Sequence, residues 1–234
     1  MPQRRTNRID KKTFAQYMIA EIEGLHSRAI HYDQALAGKI NFYLVLVTAF
    51  SGGLVLIATS SNPALVSLSL PAVCLVLAFL LVIGISTLRQ CMDLAATVIT
   101  LYRRVGRIRR WFADQDLKSE KYLPFIVGDD RPQFNPNYAL LRGMEAILLI
   151  VNAAIAGALG GFLYVMLINF FGLKSLSVSD PVNLLIGLGI GVGLSFLTWH
   201  IQVWYAKRFM RRWEARQVKT GMVHFQSDPQ LENG

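Results

Sequence analysis

Charged residues are missing from long stretches of this 234-residue chain. Residues 40–88 and 146–173 contain no Asp, Glu, Lys, Arg or His, and His200 is the only such residue in 181–206. Hydrophobic residues make up 53% of the chain and charged residues only 17%, a balance that argues against a water-soluble domain. Because about 20 apolar residues in a helix cross the hydrocarbon core of a bilayer, these runs predict membrane-spanning helices.

Cysteine, histidine and acidic residues are too few, or too unfavourably placed, to indicate a disulfide framework, a metal site or a catalytic group. Two cysteines, Cys74 and Cys91, are too few for a disulfide framework. Metal binding is not predicted, because no H-x-x-x-H spacing occurs among the four histidines, His26, His31, His200 and His224. Asp and Glu are absent from the apolar runs, and Glu145 stands just before the second of them. No catalytic residue and no cofactor are therefore predicted, and a proton-coupled carrier is disfavoured.

The apolar runs divide into four predicted spans, near residues 40–60, 68–88, 145–171 and 182–205. The sequence Ser60-Ser61-Asn62-Pro63 breaks the first run, so the spans pair into two hairpins. The first run begins only after 39 residues and is as long as a full span, so no cleaved signal peptide is expected. The predicted fold is all-α and polytopic, with long cytoplasmic helical extensions. Its segments are an N-terminal amphipathic helix (1–38), a first transmembrane hairpin (39–88), a cytoplasmic helix and structured loop (89–143), a second hairpin (144–206), and a basic helix with a flexible tail (207–234).

Basic residues are distributed very unevenly around these spans. Seven Lys and Arg precede the first span, ten lie in the central segment and six follow the fourth span, whereas the two remaining connections contain only Lys174. The positive-inside rule therefore predicts a multi-pass membrane protein with both termini in the cytoplasm. The net charge of +9 indicates contact with anionic lipid headgroups.

Apolar residues recur at alternating spacings of three and four on both sides of the first hairpin. They are Met18, Ile22, Leu25, Ala29, Tyr32 and Leu36 before it, and Cys91, Leu94, Val98, Leu101, Val105, Ile108 and Phe112 after it. This pattern is typical of a coiled-coil seam. The two segments project similar lengths, roughly 32 and 35 Å, so they can pair as an antiparallel stalk. The alternative is two amphipathic helices lying on the bilayer, with Phe14, Tyr17 and Trp111 as interfacial anchors.

A basic cluster lies in the stretch "LYRRVGRIRRWF", residues 101–112. Its arginines fall largely on one side of a helix and its apolar residues on the other. We expect anionic lipid headgroups or a cytoplasmic protein partner to contact six arginines of the chain, Arg103, Arg104, Arg107, Arg110, Arg211 and Arg212. Nucleic acid is a weaker interpretation, because no nucleic-acid-binding fold accompanies the cluster.

The connection at residues 114–137 is rich in aromatic and aliphatic side chains and is predicted to be a structured loop. Near its end, Asn135 and Pro136 form an N-cap and first-turn pair for a helix that leads into the third span. Asp180 and Pro181 repeat this device before the fourth span.

Glycine occupies every second position in part of the fourth span, "NLLIGLGIGVG". The spacing is not the G-x-G-x-x-G of a dinucleotide-binding loop, which also requires a preceding strand. On a helix, Gly187 and Gly191 share one face, and Gly189 and Gly193 share a face about 200° away. Each pair is a G-x-x-x-G motif, which lets helix backbones approach closely in lipid.

A matching stripe of small residues lies in the third span at Ala153, Gly157 and Gly161. We expect one glycine face of the fourth span to pack there. The other face packs either on a second helix of the same chain or on a neighbouring subunit of a homo-oligomer.

Polar residues inside the spans are few. Asn152, Ser195 and Thr198 are candidates for lining a pore or for hydrogen bonds between helices. Hydrogen bonding between helices is the commoner use of such residues.

Residues 12–113 comprise a heptad-bearing helix, a tight two-span hairpin and a long basic helix. This layout resembles the SLATT family of bacterial two-span membrane effectors. The resemblance implies an oligomeric pore or a membrane-disrupting effector. The stretch "RIRRWFADQDLKSEKYLPF" also resembles a recurring segment of uncharacterised bacterial membrane proteins.

Three classes of function fit these observations. The leading hypothesis is a non-enzymatic, homo-oligomeric membrane effector or channel-like assembly whose cytoplasmic stalk binds a partner. The alternative is a membrane scaffold or anchoring subunit for another protein. A small-solute carrier would need a polar cavity near Asn152 or His200.

Overall fold

The computed structural model describes residues 11–59, 63–115, 144–171 and 181–219, and these fold into four α-helices. The bounds of the helices are Lys11–Ala58 for α1, Pro63–Gln115 for α2, Met144–Phe170 for α3 and Pro181–Lys219 for α4. The all-α class predicted from the sequence is confirmed for the described residues.

All four helices are long and apolar enough, by length and composition, to cross a membrane. Helix α1 has 48 residues and α2 has 53, more than twice the roughly 20 that a span requires. The heptad segments before the first predicted span and after the second are therefore continuous in each case with the helix that contains the span.

Proline marks the start of two helices, because its missing amide hydrogen would have no partner in the first turn. Pro63 is the first residue of α2, and Pro181 is the first residue of α4, where the sequence predicted a helix start. Pro71 lies inside α2, where it removes one backbone hydrogen bond. The corresponding prediction for Asn135 and Pro136 lies outside the described residues.

The chain divides into two compact units. Unit 1 comprises Met1–Gln34, Leu94–Phe134 and Glu214–Gly234, and unit 2 comprises Ala35–Asp93 and Asn135–Trp213. The predicted connection at 61–67 is shorter than expected, because its residues from Pro63 onward belong to α2. Other predictions concern residues without a described structure and stay predictions: the connection at 172–180 with Lys174, most of the loop at 114–137, and the tail after 219.

Unit 1 contains a pair of packed helical segments from α1 and α2, which we call the stalk. Its core consists of Leu25, Ala29, Leu101, Val105 and Ile108, with Met18, Ile22, Tyr32, Tyr102 and Phe112 packed around them. Every one of these residues except Tyr102 is a predicted seam position. The apolar stripes of the two segments therefore bury each other, as in the paired arrangement.

Ring contacts show that the two stalk segments are antiparallel. Phe14 packs edge-on against Trp111 with ring centroids 4.8 Å apart, and His26 packs against Tyr102 at 6.3 Å. Residue numbers thus rise along α1 as they fall along α2. Two of the three aromatics proposed as membrane anchors pack against each other, and the third, Tyr17, is 63% exposed.

Unit 2 contains buried apolar side chains from all four helices. Its buried apolar side chains include Ile40 of α1, Leu80 and Leu88 of α2, Leu148 and Leu149 of α3, and Ala206 and Met210 of α4. Large apolar side chains also cover its outside, such as Phe42, Leu56, Leu75 and Phe196. This distribution is the one required of a helical bundle whose surroundings are hydrocarbon.

Candidate functional site

The interior of unit 2 holds a cluster of polar side chains that joins three helices, which we call the polar node. It consists of Tyr43 of α1, Asn152 of α3 and Gln202 of α4. Tyr43 and Asn152 are fully buried, and Gln202 is 6% exposed. The Tyr43 hydroxyl donates a 2.6 Å hydrogen bond to Asn152 Oδ1, and Asn152 Nδ2 donates a longer one, 3.4 Å, to Gln202 Oε1.

Helix α2 contacts the polar node at Gly84, where the absence of a side chain leaves room for it. A Cβ atom built on Gly84 would overlap Asn152 Oδ1 and the Tyr43 hydroxyl, and would lie 2.8 Å from Asn152 Cγ. Real Cβ atoms do not approach other heavy atoms so closely. Glycine at this position is therefore a condition for the Tyr43–Asn152 hydrogen bond, and all four helices take part in the node.

The amide nitrogen of Gln202 is the unsatisfied group of the node. Gln202 Nε2 is buried and has no acceptor within hydrogen-bonding distance among the described residues. The Gln202 side chain thus makes one long hydrogen bond with its oxygen and none with its nitrogen. At the node, α4 is joined by one hydrogen bond of 3.4 Å, which is longer than the 2.6 Å bond that joins α1 to α3.

Sequence reasoning selected Asn152 but missed Tyr43, Gly84 and Gln202 as its neighbours. A signal for two of them was available. A buried tyrosine needs a partner for its hydroxyl, so Tyr43 in an apolar run was a candidate. Gly84 is the only glycine between residues 54 and 105, and an isolated glycine within a helix indicates a packing reason.

The glycine stripe of α3 packs against one glycine face of α4. A Cβ on Gly157 would lie 2.6 Å from the Gly191 carbonyl oxygen, and a Cβ on Gly191 would lie 2.9 Å from the Gly157 carbonyl oxygen. One turn away, Gly161 faces the Gly187 carbonyl oxygen at 3.4 Å. Backbone therefore approaches backbone here, as the G-x-x-x-G spacing predicts for helices in lipid.

The same contact is extended by a hydrogen bond between α4 and α3. The Ser195 hydroxyl donates to the Ala153 carbonyl oxygen at 2.9 Å. The pairs Ala153–Ser195, Gly157–Gly191 and Gly161–Gly187 follow one another at steps of four residues in opposite directions. Helices α3 and α4 are thus antiparallel along this stripe, and all three small residues predicted in α3 belong to it.

The second glycine face of α4 is open. Within the described part of the chain, nothing lies within 4 Å of a Cβ built on Gly189 or Gly193, and both residues are exposed. The apolar side chains beside them, including Val192 at 62% and Phe196 at 66%, are also exposed. Glycine in the middle of a helix destabilises it by about 1 kcal/mol relative to alanine, and no contact of this face within the described residues offsets that cost.

The three polar residues proposed for a pore or for helix contacts have different environments. Asn152 and Ser195 make hydrogen bonds between helices, which is the commoner of the two predicted uses. Thr198, one turn after Ser195 on α4, is half-buried. Because Asn152 is fully buried in packed protein, it does not line an open path through the single chain.

The predicted basic cluster is divided between the two units. In unit 1, Arg103 forms an ion pair with Glu214 at 3.5 Å, and Arg107 and Arg110 are partly buried. Arg104 is exposed. Arg211 and Arg212, in unit 2, are exposed as well. Arg103 therefore contacts an acidic residue of its own chain, whereas Arg104, Arg211 and Arg212 are exposed.

Reactive groups in the described part of the chain are sparse. No group of three or more His, Cys, Asp or Glu side chains in residues 11–59, 63–115, 144–171 and 181–219 could hold a metal ion. Cys91 lies after the second predicted span, and the pKa of its thiol is raised to about 11, chiefly by burial and also by the charge of Glu145, with Lys39 opposing. A thiol with this pKa is almost entirely protonated at neutral pH and is a poor nucleophile.

Comparisons of the chain with protein-family models, with curated proteins and with solved structures gave no match. The architecture described above, a stalk in unit 1 and a polar node with one open glycine face in unit 2, is therefore the basis for a functional interpretation.

Proposed function

We propose that this protein is a homo-oligomeric effector or channel-like assembly of the bacterial inner membrane. Its four helices cross the bilayer as two hairpins, both termini are cytoplasmic, and the stalk binds a cytoplasmic partner. The open face of α4, at Gly189 and Gly193, forms the seam between subunits.

The asymmetry between the two glycine faces of α4 carries this proposal. Gly187 and Gly191 are matched by Gly161 and Gly157 of the same chain, and there the backbones touch. Gly189 and Gly193 have the same spacing and the same apolar surroundings but meet nothing in the single chain as far as it is described. A second helix of another copy, packed in the same manner, would give this face the contact that its sequence favours.

The membrane location is supported by the outer surface of unit 2. Side chains such as Leu56 at 74% and Leu75 at 72% exposure would aggregate in water, whereas hydrocarbon accommodates them. The orientation is supported by the positions of the 24 Lys and Arg residues. The two short connections between spans contain only Lys174, so the other 23 lie on the opposite side of the spans, which the positive-inside rule assigns to the cytoplasm.

The polar node restricts where a conducting path would run. Tyr43 and Asn152 fill the interior of unit 2 with hydrogen-bonded, fully buried side chains. A path for ions in a channel-like assembly would therefore run between subunits, beside the open face of α4.

The experiment that tests the proposal is an ion-leak assay on liposomes that contain the purified full-length chain. Gly189→Leu and Gly193→Leu fill the proposed seam, and a Cβ at either position meets nothing within 4 Å in the described residues. Gly52→Leu is the matched control, because a Cβ on Gly52 of α1 also meets nothing within 4 Å in the described residues. We expect leak from the wild type and from Gly52→Leu, and a leak changed at least tenfold by either α4 variant.

Other outcomes separate the alternatives. Tight vesicles with correctly inserted wild-type protein would contradict a constitutive channel. Tight vesicles together with co-purification of a stoichiometric second protein would support the scaffold hypothesis instead. The exposed apolar side chains of the stalk, such as Ile19 and Ile30, offer a surface for such a protein.

A further inference from the structure

The stalk has a surface that the proposed seam on α4 does not explain. Ile19 and Ile30 of α1 are 50% and 55% exposed, and Glu23 lies exposed between them. The three residues share one side of the helix. Ile30 lies eleven positions after Ile19, which is about three full turns, and Glu23 lies about one turn after Ile19. We call these residues the outer face of α1. It combines apolar area with one negative charge.

Helix α2 presents the opposite charge at the same level of the stalk. The contacts Phe14–Trp111 and His26–Tyr102 fix the register of the two helices, and in this register Glu23 lies level with Arg104. Residues 17–27 of α1 contain Glu21 and Glu23 but no Lys or Arg. Residues 101–112 of α2 contain five arginines and no acidic residue.

The two charges project from opposite sides of the stalk. At about 100° per residue, Glu23 lies roughly 130° clockwise from the seam of α1, and Arg104 lies roughly 80° counter-clockwise from the seam of α2. Antiparallel pairing reverses the sense of rotation between the helices, so these displacements point to opposite sides. Glu23 and Arg104 of one stalk therefore face away from each other, and both are exposed.

We infer that stalks of neighbouring copies pack side by side, with the outer face of α1 in one copy against the Arg104 side of α2 in the next. This inference rests on the homo-oligomer of the proposed function and adds a second contact to it. Identical copies arranged around one axis keep the same level side by side, so Glu23 of one copy meets Arg104 of its neighbour. The contact is head-to-tail and repeats until the ring closes.

The ion pair selects the neighbour and its level, and the isoleucines supply the buried area. An exposed ion pair by itself contributes little to stability, whereas misplaced like charges oppose the wrong alignment. A second copy fits this surface better than an unrelated helix would, because the complementary charge lies on the same chain at the same level.

Cross-linking between differently tagged full-length chains tests the contact. Both chains carry Cys74→Ser and Cys91→Ser; one carries Glu23→Cys and the other carries Arg104→Cys. In the control pair, Arg103→Cys replaces Arg104→Cys, since Arg103 is the adjacent residue and points toward Glu214 of its own chain. In membranes, we expect at least tenfold more mixed-tag product from the Glu23→Cys and Arg104→Cys pair than from the control pair.

Charge reversal gives an independent readout that does not depend on cysteine geometry. We expect Glu23→Arg to lower the oligomer fraction measured by mass photometry in nanodiscs, and Arg104→Glu to do the same. The double variant, which restores opposite charges, should recover the wild-type fraction. Recovery shows that the single variants fold and lose only the contact.

Two results would overturn the inference, and only one of them would also contradict the proposed homo-oligomer. An oligomer that persists in both single variants and cross-links no better than the control would exclude the stalk contact and leave the α4 seam standing. A monomer in both assays would exclude the stalk contact and the proposed homo-oligomer together.

Discussion

Tyr43 and Asn152 are 109 residues apart in the sequence, and the hydroxyl of the first donates a 2.6 Å hydrogen bond to the side-chain oxygen of the second. Both side chains are fully buried. This bond joins α1 to α3 next to Gly84 of α2, which has no side chain that would overlap the two groups. Because this hydrogen bond is fully buried, substitutions at its two residues test how far it contributes to the stability of unit 2.

Removing the Tyr43 hydroxyl should destabilise the fold measurably. Tyr43→Phe leaves Asn152 Oδ1 without its donor, and hydrogen bonds between helices in membranes contribute about 0.6 to 1.7 kcal/mol. We expect a loss of about 1 kcal/mol in the free energy of unfolding, measured by SDS titration of the purified protein. Tyr17→Phe, at an exposed tyrosine, is the control and should change nothing.

A double-mutant cycle separates the bond from other effects of the substitution. If the Tyr43→Phe and Asn152→Leu losses add without a coupling term, the hydrogen bond does not contribute to stability as described.

Gly84→Ala should destabilise unit 2, although alanine is the better helix former. The new methyl group would overlap Asn152 and Tyr43, and overpacking of this kind typically destabilises a fold by about 1 to 3 kcal/mol. The reference is Gly53→Ala in α1, where nothing lies within 4 Å in the described residues. There we expect a gain of up to about 1 kcal/mol from helix propensity. Equal effects at the two positions would contradict the tight packing at Gly84.

The two glycine faces of α4 should respond in opposite ways to the same substitution. Gly191→Ala places a methyl group 2.9 Å from the Gly157 carbonyl oxygen and should separate α3 from α4. We expect it to lower the free energy of unfolding of the chain. Gly189→Ala, two residues away, meets nothing in the described chain and should leave that free energy unchanged or higher. In the monomeric protein, where no subunit seam contributes, a stability loss at Gly189 equal to that at Gly191 would show that both faces pack inside one chain.

Cys91 should react slowly with alkylating reagents, and its pH dependence should be shifted upward. Burial raises the pKa of the thiol to about 11 from an ordinary value of 9.0, so the folded protein holds about 100-fold less thiolate at neutral pH. Because the neutral thiol is favoured below the raised pKa, the iodoacetamide rate should keep rising with pH until about 11.

Mass spectrometry of a Cys74→Ser chain over time measures this rate. The comparison is Arg89→Cys in a chain that lacks both native cysteines, since Arg89 is exposed two residues away. Its rate should level off near the ordinary pKa of a thiol. Similar rates and similar pH profiles at the two positions would be inconsistent with burial of Cys91.

The sequence alone was sufficient for the helices, and it favoured the paired stalk over two helices lying on the bilayer. The long runs without charge predicted helices long enough to span a membrane, and such helices appear as α1 to α4. The 3–4 spacing of residues such as Leu25 and Leu101 is a local property of each helix, and it identified the sides that bury each other. It also identified the Gly157 stripe and the Gly187–Gly191 pair of α4 as packing surfaces, whereas the packing of Gly189 and Gly193 stays a prediction.

Only the tertiary structure decided which glycine pair is used inside the chain and which polar groups meet. Gly187 with Gly191 and Gly189 with Gly193 have the same spacing, so the choice depends on how α4 is rotated toward α3. Rotation is fixed by the packing of all the helices at once, including the Ser195–Ala153 hydrogen bond. The node formed by Tyr43, Asn152 and Gln202 depends on the same rotation. Each of the three helices contributes only one polar residue, so no sequence spacing could predict that these residues contact one another.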